Sequence, residues 1–172
     1  WKTKYNIEFK GLKEGLHEFE FEIDKKFFVH FKESPVENGE VHINVVLEKR
    51  SSFMKLMFDL NGMIELTCDR CLDNYEQTIS HEAEMFVKYG DNDFDEGENV
   101  IWINPDEYHI NLAQIIYEFV VLSIPLRRVH PKKSDGKRAC NKEMLKKLKN
   151  YTRPDKVEKT KTDPRWDALK KL

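Results

Sequence analysis

The chain has 172 residues, with 29 Lys and Arg against 31 Asp and Glu, a formal net charge of −2 and three cysteines. That length suits one domain with its own core, and an odd cysteine count argues against a secreted disulfide scaffold. No run of about eighteen apolar residues and no signal-peptide pattern is present, so a protein that stays in the cytoplasm is expected.

The first residue is Trp1 rather than Met, which leaves room for residues upstream of this numbering. Tyr5, Ile7 and Phe9 alternate with polar neighbours, the period of two that marks a half-buried strand. Phe19, Phe21 and Ile23 alternate with Glu18, Glu20 and Glu22 in the same way. Phe27, Phe28 and Phe31 fall at helical spacing and predict a short helical turn within 24–31, with a strand as the alternative. Pro35 and Asn38-Gly39 mark a turn.

Val41, Ile43, Val45 and Leu47 line one side of the next strand, and Arg50-Ser51-Ser52 reads as a turn. Residues 53–60 and 63–67 form an extended stretch with a break expected at Asn61-Gly62, and 75–79 and 79–89 supply more strand. The links are too short for parallel crossovers, so the pattern predicts an antiparallel meander, open or closed into a partial barrel. Residues 91–98 are an acidic loop of five carboxylates. Its opening resembles a calcium loop, but Glu96 stands where that loop needs Gly. Residues 100–103 read as a short strand, ended by Pro105.

Residues 110–124 predict the main helix, with Asn111 as N-cap and Gln114 in the capping-box position. Leu112, Ile115, Ile116, Phe119, Val120 and Leu122 give it a broad apolar face for the sheet. Glu118 sits at the rim of that face, alone or paired with Arg70, and Pro125 stops the helix.

Beyond that proline the charge changes sign. Residues 1–126 carry 12 Lys and Arg against 25 Asp and Glu, whereas 127–172 carry 17 against 6. Such polarity points to a nucleic-acid partner for the basic part, the bland alternative being a solvated basic helix that balances the acidic half. A basic helix is expected over 141–149, with Met144, Leu145 and Leu148 inward. A polar linker follows over 151–162. The terminal helix over 163–172 has Asp163 as cap, Pro164 in its first turn, and Trp166, Leu169 and Leu172 as an apolar stripe. Trp166 and Leu169 are the candidate docking residues, on the protein's own body or on a partner.

Cys68-Asp69-Arg70-Cys71 sits between two strands, so two thiolates can face one ion across a single turn. A tetrahedral zinc needs two more ligands, for which His130 and Cys140 are the candidates. Unliganded buried thiols and a redox pair are the competing readings. A redox pair is usually placed at a helix N-terminus, whereas strands flank this one. No catalytic residues are assigned: there is no Gly-rich phosphate loop, no His-Glu-x-x-His, and no identifiable Ser, His and Asp constellation. His17, His30, His42, His81 and His109 are scattered and read as structural.

The order of these motifs resembles one family. The Cys68–Cys71 knuckle is followed by the acidic loop, a helix running into Ser123-Ile124-Pro125, then His130, Cys140, and a closing stretch from Asp163-Pro164-Arg165-Trp166-Asp167 to Leu172. Over about residues 40–172 the chain is similar to the YceD-like family, the large ribosomal RNA subunit accumulation proteins of bacteria and plastids. The resemblance implies a cytoplasmic, non-enzymatic factor for accumulation or assembly of the large-subunit RNA, whose family Cys, Cys, His and Cys positions fall on Cys68, Cys71, His130 and Cys140. Relatives often carry a second proline where this chain has Arg128, which makes the approach to His130 less rigid and more basic.

The expected fold class is α+β: an antiparallel β-rich core with the main helix over 1–126, then a basic C-terminal extension whose 127–150 segment holds the remote ligands. The expected function is binding of ribosomal RNA or a pre-ribosomal particle through Arg70, Arg127, Arg128, Lys132, Lys133, Lys137 and Arg138, supported by Lys146 and Lys147. The alternative is an adaptor whose acidic face, residues 91–98 and the Glu18, Glu20, Glu22 row, binds a basic ribosomal protein.

Overall fold

Four long strands whose buried residues keep one parity build the molecule's main sheet, as described by a computed structural model for residues 1–90, 99–132, 136 and 139–152. The elements in chain order are β1 (Asn6–Glu8), β2 (Gly15–Ile23), α1 (Lys25–Phe28), β3 (Gly39–Lys49), β4 (Phe53–Thr67), β5 (Asn74–Tyr89), β6 (Val100–Ile103), β7 (His109–Asn111), α2 (Ala113–Leu122) and α3 (Lys142–Tyr151). A 3-10 turn at Lys2–Tyr5 precedes β1. The class is α+β, with a five-stranded sheet in the order β2-β3-β4-β5-β6 and a separate β1–β7 pair. Among the described residues β2 and β6 are its two edges, and these five strands form an open sheet rather than a barrel.

The register aligns the buried and half-buried side chains of the inner face. Phe21, Ile43, Leu60 and His81 stand in one row, and Met54, Val87 and Ile101 in another. A period-two pattern puts all of these on one face, and α2 covers it. Leu112, Ile116 and Val120 are fully buried there, and Phe119 meets Phe58 edge-on, with ring centroids 5.0 Å apart. Ile7 and Ile110, paired across β1–β7, join the same core. The expected turn after Asp24 forms as α1, with Asp24 capping the Lys26 N–H.

Four expectations need correction. β4 runs unbroken through Asn61-Gly62. Glycine serves there for close approach: a Cβ on Gly62 would lie 2.3 Å from Glu40 O and 2.6 Å from Val41 Cα on the neighbouring strand. Second, β6 pairs parallel to β5, Phe86 opposite Val100, so the meander has one strand of the other sense. Third, Ile110 belongs to β7, and α2 begins at Ala113 without a capping box. Asn111 Oδ1 still accepts from Ala113 N–H, but its amide also donates to Lys2 O and Asn6 Oδ1, tying β7 to the N-terminus. Gln114 donates instead to Glu118 one turn on, which gives that carboxylate a partner other than Arg70.

The fourth concerns α3, which is capped by Asn141 as anticipated and continues to Tyr151. Met144 and Leu145 pack against the core, but Leu148 is exposed rather than inward. Tyr151, where the linker was expected to begin, is the last residue of α3; residues 91–98 and 153–172, with the rest of the expected linker, Trp166 and Leu169, lie outside the described residues.

Candidate metal centre

The long β4–β5 hairpin ends in a tight turn at Cys68–Cys71. Cys68 N–H donates to Asp73 O (3.0 Å) and Leu72 N–H to Cys68 O (2.9 Å), which folds the turn back on itself. Leu72 takes up the left-handed conformation this requires, at φ 62°. Both thiols then point inward and are buried.

The second half arrives from the segment after α2. Asp69 N–H donates to Arg128 O (2.8 Å), and Arg128 N–H donates to the Asp69 carboxylate (3.0 Å). The Arg128 guanidinium adds an ion pair to the same carboxylate at 3.2 Å. This three-point tie carries Val129 and His130 into the core, where the His130 ring lies 5.0 Å from that of Tyr75. Cys140, just before α3, closes the group from the other side and is also buried.

The ligand atoms of Cys68, Cys71, His130 and Cys140 all lie within 4.8 Å of one another, with Cys71 Sγ 3.5 Å from His130 Nδ1. A tetrahedral ion bonded at roughly 2.0–2.3 Å separates its ligands by about 3.5 Å, so the spacing fits an ion of that size. The electrostatics suit a cation too. Burial pushes the Cys68 thiol up, but the N–H groups of Arg70, Cys71 and His130 and the His130 side chain outweigh it and hold the thiol at about 6. Burial, together with the neighbouring Cys68 and Cys71, pushes Cys140 up. One ready thiolate beside a thiol that resists a second charge is the balance a bound cation relieves. All three cysteines are free, and the group could hold a metal.

The other nominated residues divide. Arg70 sits half-buried on the knuckle, and Arg127 and Lys132 are exposed on the segment after α2, on either side of Arg128, Val129 and His130. Lys146 and Lys147 are exposed on α3. Arg128 is engaged with Asp69 rather than open to solvent alone. Lys133, Lys137 and Arg138 lie outside the described residues. Sequence reasoning missed Asp69 and Tyr75. Asp69 lies inside the knuckle motif, but its partner is 59 positions away and nothing local announces it. Among the described residues no helix is long and apolar enough to cross a membrane.

A model of the family described as "Large ribosomal RNA subunit accumulation protein YceD" matches residues 56–172. That is more than half of the chain, which belongs to this family and is thereby tied to accumulation of the large ribosomal subunit RNA. No curated protein and no solved structure matches the chain.

Proposed function

We propose that this member of the YceD family is a non-enzymatic, cytoplasmic assembly factor that grips large-subunit ribosomal RNA with its basic C-terminal segment. Zinc is the metal the reading assigns to Cys68, Cys71, His130 and Cys140. Four protein ligands leave no open position for substrate, so the ion would supply a fixed cross-link rather than catalysis. What carries the reading is the convergence of those four donors within 4.8 Å, from a knuckle and from the arm that bears the cations. Closing the arm there draws Arg70, Arg127 and Lys132 towards one end of the molecule. Cations held at that density attract a polyanion, with an affinity that is sequence-independent and salt-dependent. Lys133, Lys137 and Arg138 extend the same surface in this proposal, which divides the chain into a core over 1–126, the arm over 127–150, a linker over 151–162 and a docking helix over 163–172 bearing Trp166 and Leu169.

Charge reversal tests it. Changing Arg127, Lys132, Lys146 and Lys147 to Glu together should weaken association with large-subunit RNA by at least tenfold at moderate salt and flatten the salt dependence. Arg128 is left alone, because its loss would also disturb the tie to Asp69. Binding that matches wild type across a salt series would refute the RNA-binding role of the arm.

A second reading, an adaptor for a basic ribosomal protein, is favoured by one observation: Glu18, Glu20 and Glu22 form an exposed row on the edge strand β2.

A further inference from the structure

β2 is nine residues long and, among the described residues, has a neighbouring strand on one side only. Alternate residues of an antiparallel strand turn their backbone groups to the same neighbour. Glu65 N–H donates to Asn38 O across β3 and β4 (2.8 Å), which sets the phase. Even-numbered residues of β3 bond β4, so Val41, Ile43, Val45 and Leu47 bond β2 through Ile23, Phe21, Phe19 and His17. The groups of Leu16, Glu18, Glu20 and Glu22 therefore point out of the sheet. Lys4 Nζ, bonded to Glu22 O at 3.1 Å on that outer side, agrees. Among the described residues no hydrogen bond reaches the outward groups of Leu16, Glu18 or Glu20.

An open edge of this length is a template for another strand. Its side chains say which kind. Glu18, Glu20 and Glu22 are exposed on the solvent face, and Glu20 and Glu22 wall a groove shared with Lys4, His42 and Asn44. On the other face Phe19 is half-buried beside the edge. A second copy of this chain would set glutamate rows against each other, which disfavours self-pairing.

We infer that the β2 edge takes up an extended segment of a basic protein, one with Lys or Arg at alternate positions and apolar residues between them. The cations would lie against Glu18, Glu20 and Glu22 and the apolar residues beside Phe19, while the main chain bonds the outward groups of Leu16, Glu18 and Glu20. This rests on the adaptor reading and adds to it the mode of binding and the sequence pattern of the partner.

The test uses the full chain and a synthetic Lys-Val-Lys-Val-Lys-Val-Lys peptide, followed by titration calorimetry. Wild type should bind it and should reject the counterpart with Glu in place of Lys. Joint reversal of Glu18, Glu20 and Glu22 to Lys should weaken binding at least tenfold. Glu20→Pro removes an outward N–H without touching the β2–β3 ladder, and should cost a similar factor. A peptide N-methylated at the amides of one edge makes the same point on unaltered protein, should the proline variant not fold. No binding of the Lys peptide to wild type overturns the proposal. Full binding by Glu20→Pro and by the methylated peptide, with loss on charge reversal, also overturns it and leaves the acidic-face reading standing.

Discussion

Asp69 illustrates how much one side chain can organise. Its carboxylate accepts the Arg128 N–H and pairs with the Arg128 guanidinium, while its own N–H holds Arg128 O. The ion pair is half exposed and contributes little alone. The buried consequence is larger, since the tie sets the approach of His130. Groups that orient a ligand typically shift metal affinity by tens. If zinc is the ion this group holds, Asp69→Ala should lower its affinity about tenfold in a chelator competition, with Arg127→Ala unchanged; equal affinities would deny Asp69 that role. The role of Asp69 is not legible in the sequence. The Cys-x2-Cys spacing announced itself, and His130 and Cys140 were the obvious completions, but an aspartate next to a cysteine carries no mark of a remote partner.

At the scale of elements, alternation revealed the strands and concealed their breaks and directions. Glycine marks turns and close approaches alike in one sequence, so the sequence alone makes Gly62 an interruption. Only the neighbour distinguishes them, here Glu40 O at 2.3 Å from any added Cβ. Gly62→Val should destabilise the fold by about 3 kcal/mol, the upper end for overpacking, measured by urea unfolding. A loss below about 0.5 kcal/mol, the range of an inert surface change, would mean that β3 and β4 part easily at that point. The direction of β6 was hidden for another reason. Residues 91–98 carry no strand or helix pattern, so nothing in them tells whether the chain returns before pairing. The helix start was displaced because Asn111 suits a cap, yet it serves a strand and a cap together.

For the whole molecule, the described residues after Pro125 meet the acidic sheet at the Asp69–Arg128 tie and at the buried Cys68, Cys71, His130 and Cys140 group. Met144 and Leu145 are half-buried, and α3 has no fully buried residue. If zinc is the fastening, a strong chelator or Cys140→Ser should make the stretch after Pro125 sensitive to trypsin while β3–β5 resist. Equal protection with and without metal would show that packing alone retains the arm. The division of charge was plain from composition; the place where the halves meet was not, because it depends on donors far apart in the chain. That separation has a bearing on synthesis. Cys71 and His130 are 59 positions apart, and chains elongate at about 5–20 residues per second. A growing polypeptide therefore carries its first two thiols for roughly 3–12 seconds before the imidazole exists. Over that interval oxidants compete for a half-built site, and the pace of translation sets how long they have.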